Sequence, residues 1–185
     1  MLARPPTVLI LASGRGERFT ASGGQGSKLQ AMLYGKTVLQ HTLDAVRASG
    51  LPYHLESTPH PGMGDSIAAA VAATQHAGGW LVLPGDLPLV QPGTLCAVAD
   101  ALKHHAVVLP TFEGRRGHPV GFSGGCRDAL LALKGHQGAT RIVAAQAAMA
   151  LTVHDAGAVT DIDTLADLER AAQMLESRRG SVISR

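Results

Sequence analysis

VLILASGRGERFTASGGQGSK, residues Val8 to Lys28, is the stretch on which the fold turns. The apolar run Val8-Leu9-Ile10-Leu11 is short and stops abruptly at Ala12-Ser13-Gly14. A brief apolar run bounded by turn residues predicts a buried strand. The loop after it holds Gly14, Gly16, Gly23, Gly24 and Gly26 together with Arg15, Arg18 and Lys28. Glycines placed after a strand let backbone N–H groups approach a ligand with no Cβ in the way. Three cations beside them point to an anion, most simply a polyphosphate. The common phosphate loops fit badly. No Gly-Lys-Ser/Thr triplet closes this loop, and Phe19 stands where a dinucleotide fingerprint needs a small third residue.

Two further segments narrow the chemistry. Trp80 to Val90 reads WLVLPGDLPLV, again an apolar run that ends in Gly85-Asp86. Ligands of parallel sheets sit beyond the carboxyl ends of the strands. Asp86 is therefore placed like a metal-binding or catalytic carboxylate, with a local helix cap as the alternative. Near the C-terminus, Asp161 and Asp163 flank Ile162, so in an extended strand end both face one way. One of them could join Asp86 in a two-carboxylate site, since Mg2+ takes one or two carboxylates plus phosphate oxygens. Between these segments lies Gly114-Arg115-Arg116-Gly117-His118-Pro119. Taken alone, His118 reads as a structural loop histidine held extended by the proline.

The remaining pattern alternates strands and helices, which argues for a largely parallel, layered α/β sheet. Thr37-x-x-Gln40 reads as a capping box for a helix ending at Gly50. Tyr53–Glu56 reads as a short strand, and Asp65 as the N-cap of a helix through Ala77. Pro92 opens another helix. Ala106–Pro110, Val120–Phe122 and Met149–Val153 read as strands, with helices near Cys126–Leu133 and Ala139–Ala148. Thr164 reads as the N-cap of a last helix running to about Glu176, with Asp167 three residues on. Residues 1–177 form one domain on this reading, and 178–185 a flexible tail.

The chain has 185 residues and a net charge of +2, with 3% aromatic residues. That balance argues against a nucleic-acid surface. No apolar span suits a membrane and no leader pattern is seen, so the expected location is cytoplasmic. Cys96 and Cys126 lie in no metal or redox spacing and read as reduced thiols. His41, His54, His60, His76, His104, His105, His136 and His154 show no ligand spacing and are assigned no role.

Five motifs in order carry a resemblance. They are Leu11-Ala12-Ser13-Gly14-Arg15-Gly16-Glu17-Arg18 with Lys28, Gly62-Met63-Gly64-Asp65-Ser66, Gly85-Asp86-Leu87-Pro88, Arg116-Gly117-His118-Pro119, and Asp161-Ile162-Asp163-Thr164. Over about residues 7–175 the chain resembles the MobA-like nucleotidyltransferases, in particular their molybdenum cofactor cytidylyltransferase branch. The resemblance implies a three-layer α/β/α Rossmann-like sheet of the nucleotide-diphospho-sugar transferase (GT-A-like) type, mostly parallel with an antiparallel strand. It implies Mg2+-dependent transfer of a nucleoside monophosphate, CMP favoured, from an NTP to a phosphorylated acceptor, with release of pyrophosphate. The implied acceptor is molybdopterin or the molybdenum cofactor, and the implied protein partner a molybdoenzyme or its maturation factor.

Catalytic roles fall by resemblance on Arg18, Lys28 and Asp86. Nucleotide contacts fall on Leu11, Ala12, Ser13, Gly14, Arg15, Gly16, Lys28, Ser66 and Gly85. The metal falls on Asp86 and Asp163, and the acceptor side on Arg116 and His118. A sugar-phosphate nucleotidyltransferase and a non-catalytic binding partner of the same fold stay open as alternatives. The chain departs from the family twice. Thr20–Ser27 separates Arg18 from Lys28 and reads as a looped-out insertion. Leu51–Pro61 stands where the family has a strand, a helix and a strand, and holds one short strand. Family members with Ala-Ala-Gly in the first loop go with CTP and those with Ala-Gly-Gly with GTP; Ala12-Ser13-Gly14 is neither.

Overall fold

Strand β1 (Thr7–Leu11) is buried along its whole length, and its side chains alternate between two cores. Val8 and Ile10 enter one core, Leu9 and Leu11 the other, as the two-residue period of a strand requires. A sheet apolar on both faces needs a layer of helices on each. The computed structural model describes residues 4–14 and 16–183. The expectation for Arg15 therefore lies outside the described residues.

After β1 come helix α1 (Glu17–Ala21), strands β2 (Met32–Leu33) and β3 (Lys36–Thr37), helix α2 (Val38–Ala48), β4 (Tyr53–Glu56) and α3 (Met63–Ala73). Next are β5 (Gly79–Pro84), α4 (Pro92–Ala101), β6 (Val107–Phe112), β7 (Arg115–Arg116), β8 (Val120–Ser123), α5 (Arg127–Leu131) and α6 (Thr140–Ala145). The series closes with β9 (Met149–Thr152) and α7 (Leu165–Ile183). β4, β1 and β5 run parallel; β8 lies antiparallel between β5 and β6; β9 pairs in parallel with β6. This is the mixed, mostly parallel α/β sheet the motifs imply. Val46 of α2 and Leu95 and Val98 of α4 pack on one face. Ile67 of α3, Leu130 of α5 and Ile142 of α6 pack on the other. A third cluster joins Phe19, Leu29 and Val38 to Ile162 and to Ala171 of α7. No helix of the described residues is long and apolar enough to cross a membrane.

Local chemistry explains the element ends. Thr37 and Gln40 form the capping box in both directions, with Gln40 N–H on Thr37 Oγ1 at 3.2 Å and Thr37 N–H on Gln40 Oε1 at 2.8 Å. Gly35-Lys36-Thr37 is a Gly-Lys-Thr triplet, but Gln30 stands where a Walker loop has its first glycine. Lys36 pairs with Asp44 at the surface, and Thr37 caps the helix.

Four expectations are corrected. Helix α3 starts at Met63 with Gly62 as N-cap and ends at Ala73; Asp65 sits inside its first turn and accepts from Gly135 N–H at 2.8 Å. Asp161 to Asp163 is irregular chain rather than a strand end, tied down by fully buried Ile162, whose N–H donates to Asp86 O at 3.0 Å. Helix α7 continues past Glu176 through the expected tail to Ile183. Arg178 holds it there, donating to Leu89 O at 3.0 Å and lying 3.5 Å from the buried carboxylate of Asp155. The Thr20–Ser27 segment is not simply looped out. Ser22 Oγ accepts from Leu165 N–H at 3.1 Å, and Gly24 is buried against the Phe19 ring with no room for a Cβ.

Candidate active site

Leu11 and Pro84 are register partners, so the loops leaving β1 and β5 start side by side. Gly85 N–H donates to Leu11 O at 2.9 Å. A Cβ on Gly85 would lie 3.0 Å from Leu39 Cδ1 and 3.1 Å from Leu11 O, so the glycine lets the Asp86 turn sit tight on the strand end. The Ile162–Asp86 backbone bond brings the Asp161–Asp163 segment to the same place. A cleft of about 720 Å³ opens there. Its walls include Leu11, Ser13, Gly14, Arg18, Lys28, Ser66, Asp86, Arg116, His118, Asp161 and Asp163. Residues from all five motifs thus meet in one cleft. Ala12 packs beside the third core cluster, and Gly16, in the left-handed region at φ 65°, caps α1.

The centre of the cleft is a charge cluster. Lys28 Nζ lies 2.6 Å from Asp86 Oδ2 and 2.7 Å from Asp163 Oδ1. Arg18 Nη1 lies 2.5 Å from the other Asp163 oxygen. Lys28 is 13% exposed, Asp86 14% and Asp163 18%, whereas Arg18 is 79% exposed. Burial alone would lower the Lys28 pKa; Asp86 and Asp163 outweigh it and hold the ammonium above its ordinary value. Asp86 Oδ1 is buried and has no hydrogen-bond partner among the described residues. An orphaned carboxylate oxygen beside a second carboxylate is a donor set for a hard cation. No group of three or more His, Cys, Asp or Glu among the described residues could hold a metal by itself. Two carboxylates leave most of an octahedral shell to water and to phosphate oxygens, which suits a cation that arrives with a polyphosphate.

The two ends of the cleft differ. At one, Arg115, Arg116, His118 and Asp161 line the wall. Arg115 Nη2 donates to Val159 O at 3.1 Å, and Gly117 leaves no space for a Cβ against Ala158. Burial holds His118 below its ordinary pKa against the pull of Asp86 and Asp161 and a bond to the Val82 backbone, so its ring is neutral near pH 7. The His118–Pro119 peptide is cis. At the other end, Ser13 and Ser66 share a hydrogen bond at 2.9 Å, and His60, Pro61, Met63 and His136 complete the wall.

His60 and His136, unassigned on spacing alone, therefore lie in the cleft. His60 Nε2 stands 3.3 Å from buried Glu56, and His54 Nε2 stands 3.6 Å from it. Burial would raise the Glu56 pKa, but the Thr58 N–H at 2.9 Å and the two rings hold it below the ordinary carboxylate value. The pattern His54-x-Glu56-x-x-x-His60 was the available signal. The Ser13–Ser66 bond has no such signal, because its partners lie 53 residues apart.

Comparison with known proteins agrees with this fold. The bifunctional protein GlmU of Bordetella petrii is 33% identical over 129 residues, 55% of this chain and 27% of that protein. The chain thus spans about a quarter of the length of that curated relative. Rv0371c of Mycobacterium tuberculosis, solved as a complex with manganese, superposes with a TM-score of 0.72 at 23% identity, covering 91% of this chain and 98% of that one. The 2-C-methyl-D-erythritol 4-phosphate cytidylyltransferase of Thermus thermophilus superposes with a TM-score of 0.67 at 19% identity, covering 93% and 99%. The two structural likenesses show the shared fold. Residues 8–150 match the MobA-like NTP transferase domain, and the chain belongs to that family.

Proposed function

We propose that this chain is a cytoplasmic, metal-dependent nucleotidyltransferase that moves CMP from CTP to a phosphorylated acceptor, molybdopterin or the molybdenum cofactor, and releases pyrophosphate. The observation that carries the reading is the buried Lys28 ammonium set between Asp86 and Asp163, at the mouth of a glycine-rich strand end.

The acceptor phosphate attacks the α-phosphorus of the NTP, and the bond to the β-phosphate oxygen breaks. Little covalent help is needed, so the site works by positioning and charge neutralisation. Lys28 and Arg18 bind the phosphates, and their positive charge stabilises the negative charge that gathers on the leaving oxygens. Asp86 and Asp163 hold the divalent cation, Mg2+ in this reading. When bound, it supplies further charge neutralisation across the phosphates. The loop after β1, with Ser13 and Gly14 on the cleft wall, takes the triphosphate. Ser13 and Ser66 bound the nucleoside end. Arg116 receives the acceptor phosphate, and neutral His118 lines the same end without adding charge. The cytidylyl and molybdenum assignments rest on the Gly-Met-Gly and Gly-His-Pro motifs.

The test is pyrophosphate release with each of the four NTPs, Mg2+, and either molybdopterin or a hexose 1-phosphate as acceptor. Release with CTP and molybdopterin is expected. Release only with the sugar phosphate would replace the acceptor, and NTP binding with no release for any acceptor would make the chain a binding partner rather than an enzyme.

A further inference from the structure

Helix α3 begins in a crowded place. A Cβ on Gly62 would run into the backbone of Gly135, and one on Gly64 would lie 2.9 Å from Lys134 backbone atoms. Two glycines thus let a distant turn settle on the helix start. The turn is then gripped from both sides. Gly64 N–H donates to Gly135 O at 2.8 Å, and Gly135 N–H donates to Asp65 Oδ2 at 2.8 Å. Gly135 and Gly138 both sit in the left-handed region, at φ 69° and 53°, so the turn reverses sharply around His136. His136 is exposed to the cleft and lines it with Gly62, Met63 and Ser66.

Charge decides what this wall faces. Among the described residues that line the cleft, the cations are Lys28, Arg18, Arg115 and Arg116, and none of them comes from α3 or the 134–138 turn. Phosphates follow the cations, so the neutral end is left for the base and ribose. We propose that the 134–138 turn is the outer wall of the nucleoside site, that His136 contacts the nucleoside part of the bound NTP, and that Asp65 is the positioning residue that holds the turn in place. The inference rests on the nucleotidyltransferase reading. It gives a job to a first-turn carboxylate that caps no helix and reaches 70 residues along the chain.

The test is calorimetric binding of the tightest of the four NTPs, with Mg2+, beside binding of inorganic tripolyphosphate. Asp65→Ala and His136→Ala should each weaken the NTP about tenfold, the equivalent of about 1.4 kcal/mol, and leave tripolyphosphate unchanged. Asp65→Asn keeps an acceptor oxygen and should stay within about twofold of the parent. The double alanine variant should lose no more than the worse single variant, because both changes remove the same contact. His136→Ala alters an exposed side chain and should not disturb folding. NTP affinity unchanged in either alanine variant, equal losses for NTP and tripolyphosphate, or losses that multiply in the double variant would each overturn the proposal. A parent chain that binds neither ligand would overturn the nucleotidyltransferase reading itself.

Discussion

Lys28 stands at the end of an exposed glycine-rich segment, yet its side chain is nearly buried between two carboxylates. Removing one partner of such a cluster leaves charge behind with no compensation. Lys28→Met should lower stability on the order of 3 kcal/mol in a urea titration. It should also let Mn2+ bind about tenfold more tightly without nucleotide, because the ammonium no longer competes for the two carboxylates. Electron paramagnetic resonance of free Mn2+ reads this directly, and unchanged affinity would show that Lys28 does not sit in the cation's place. Arg18 is mostly solvated, so its contribution falls at the low end for a charge-assisted contact. Arg18→Ala should weaken NTP binding by about 1.5 kcal/mol and leave nucleoside binding intact; equal loss of both would remove it from the phosphate site. Arg18, Lys28, Asp86 and Asp163 were legible in sequence because each follows a strand end or sits in a short spaced motif. The Ser13–Ser66 and Asp65–Gly135 bonds were not, because their partners are 53 and 70 residues apart and nothing local marks them.

Helix starts were readable where the cap is local, as with Thr37 and Gln40. Thr164 and Asp167 are a second case: Thr164 N–H and Oγ1–H donate to Asp167 Oδ2 at 2.9 and 2.7 Å, and Asp167 N–H donates back to Thr164 Oγ1 at 3.2 Å. Burial pushes the Asp167 pKa up, but those donors, the Asp163 N–H and Arg170 outweigh it and hold it below its ordinary value. A carboxylate with a lowered folded-state pKa stabilises the fold fully above its unfolded pKa, about 3.9, and loses that contribution as pH falls through the lowered value. Asp167→Ala should therefore cost about 1 kcal/mol at pH 7, and the gap from the parent should shrink as the pH falls below the unfolded value of about 3.9 and through the lowered folded value. Denaturant titrations at pH 7 and across that fall check this, and a constant gap would remove the carboxylate from the linkage. The start of α3 was misread because aspartate favours the N-cap, whereas here a tertiary contact takes Asp65 and glycine takes the cap. The reach of α7 was misread because the apolar period fades after Leu175, while Arg178 continues to anchor the helix to Leu89.

At the scale of the whole molecule, the layered sheet was legible from apolar runs that alternate with amphipathic stretches. β1 shows why, since each of its neighbouring side chains feeds a different core. The antiparallel β8, wedged between β5 and β6, came from the family likeness rather than from periodicity, because four residues carry too little pattern to give direction. The fold then does one thing for function: it sets the ends of β1 and β5 beside the Asp161–Asp163 segment and gathers charges from distant parts of the chain. The central claim is that this cluster transfers a nucleotide with the help of a cation held by Asp86. Phosphorus NMR of the parent and Asp86→Asn chains, each with CTP, Mg2+ and the phosphorylated acceptor, tests it most directly. The parent should yield pyrophosphate and a new diphosphate linkage in equal amounts, while Asp86→Asn keeps its fold and yields neither. Pyrophosphate from Asp86→Asn at the parent rate, or orthophosphate in place of pyrophosphate from the parent, would contradict the account.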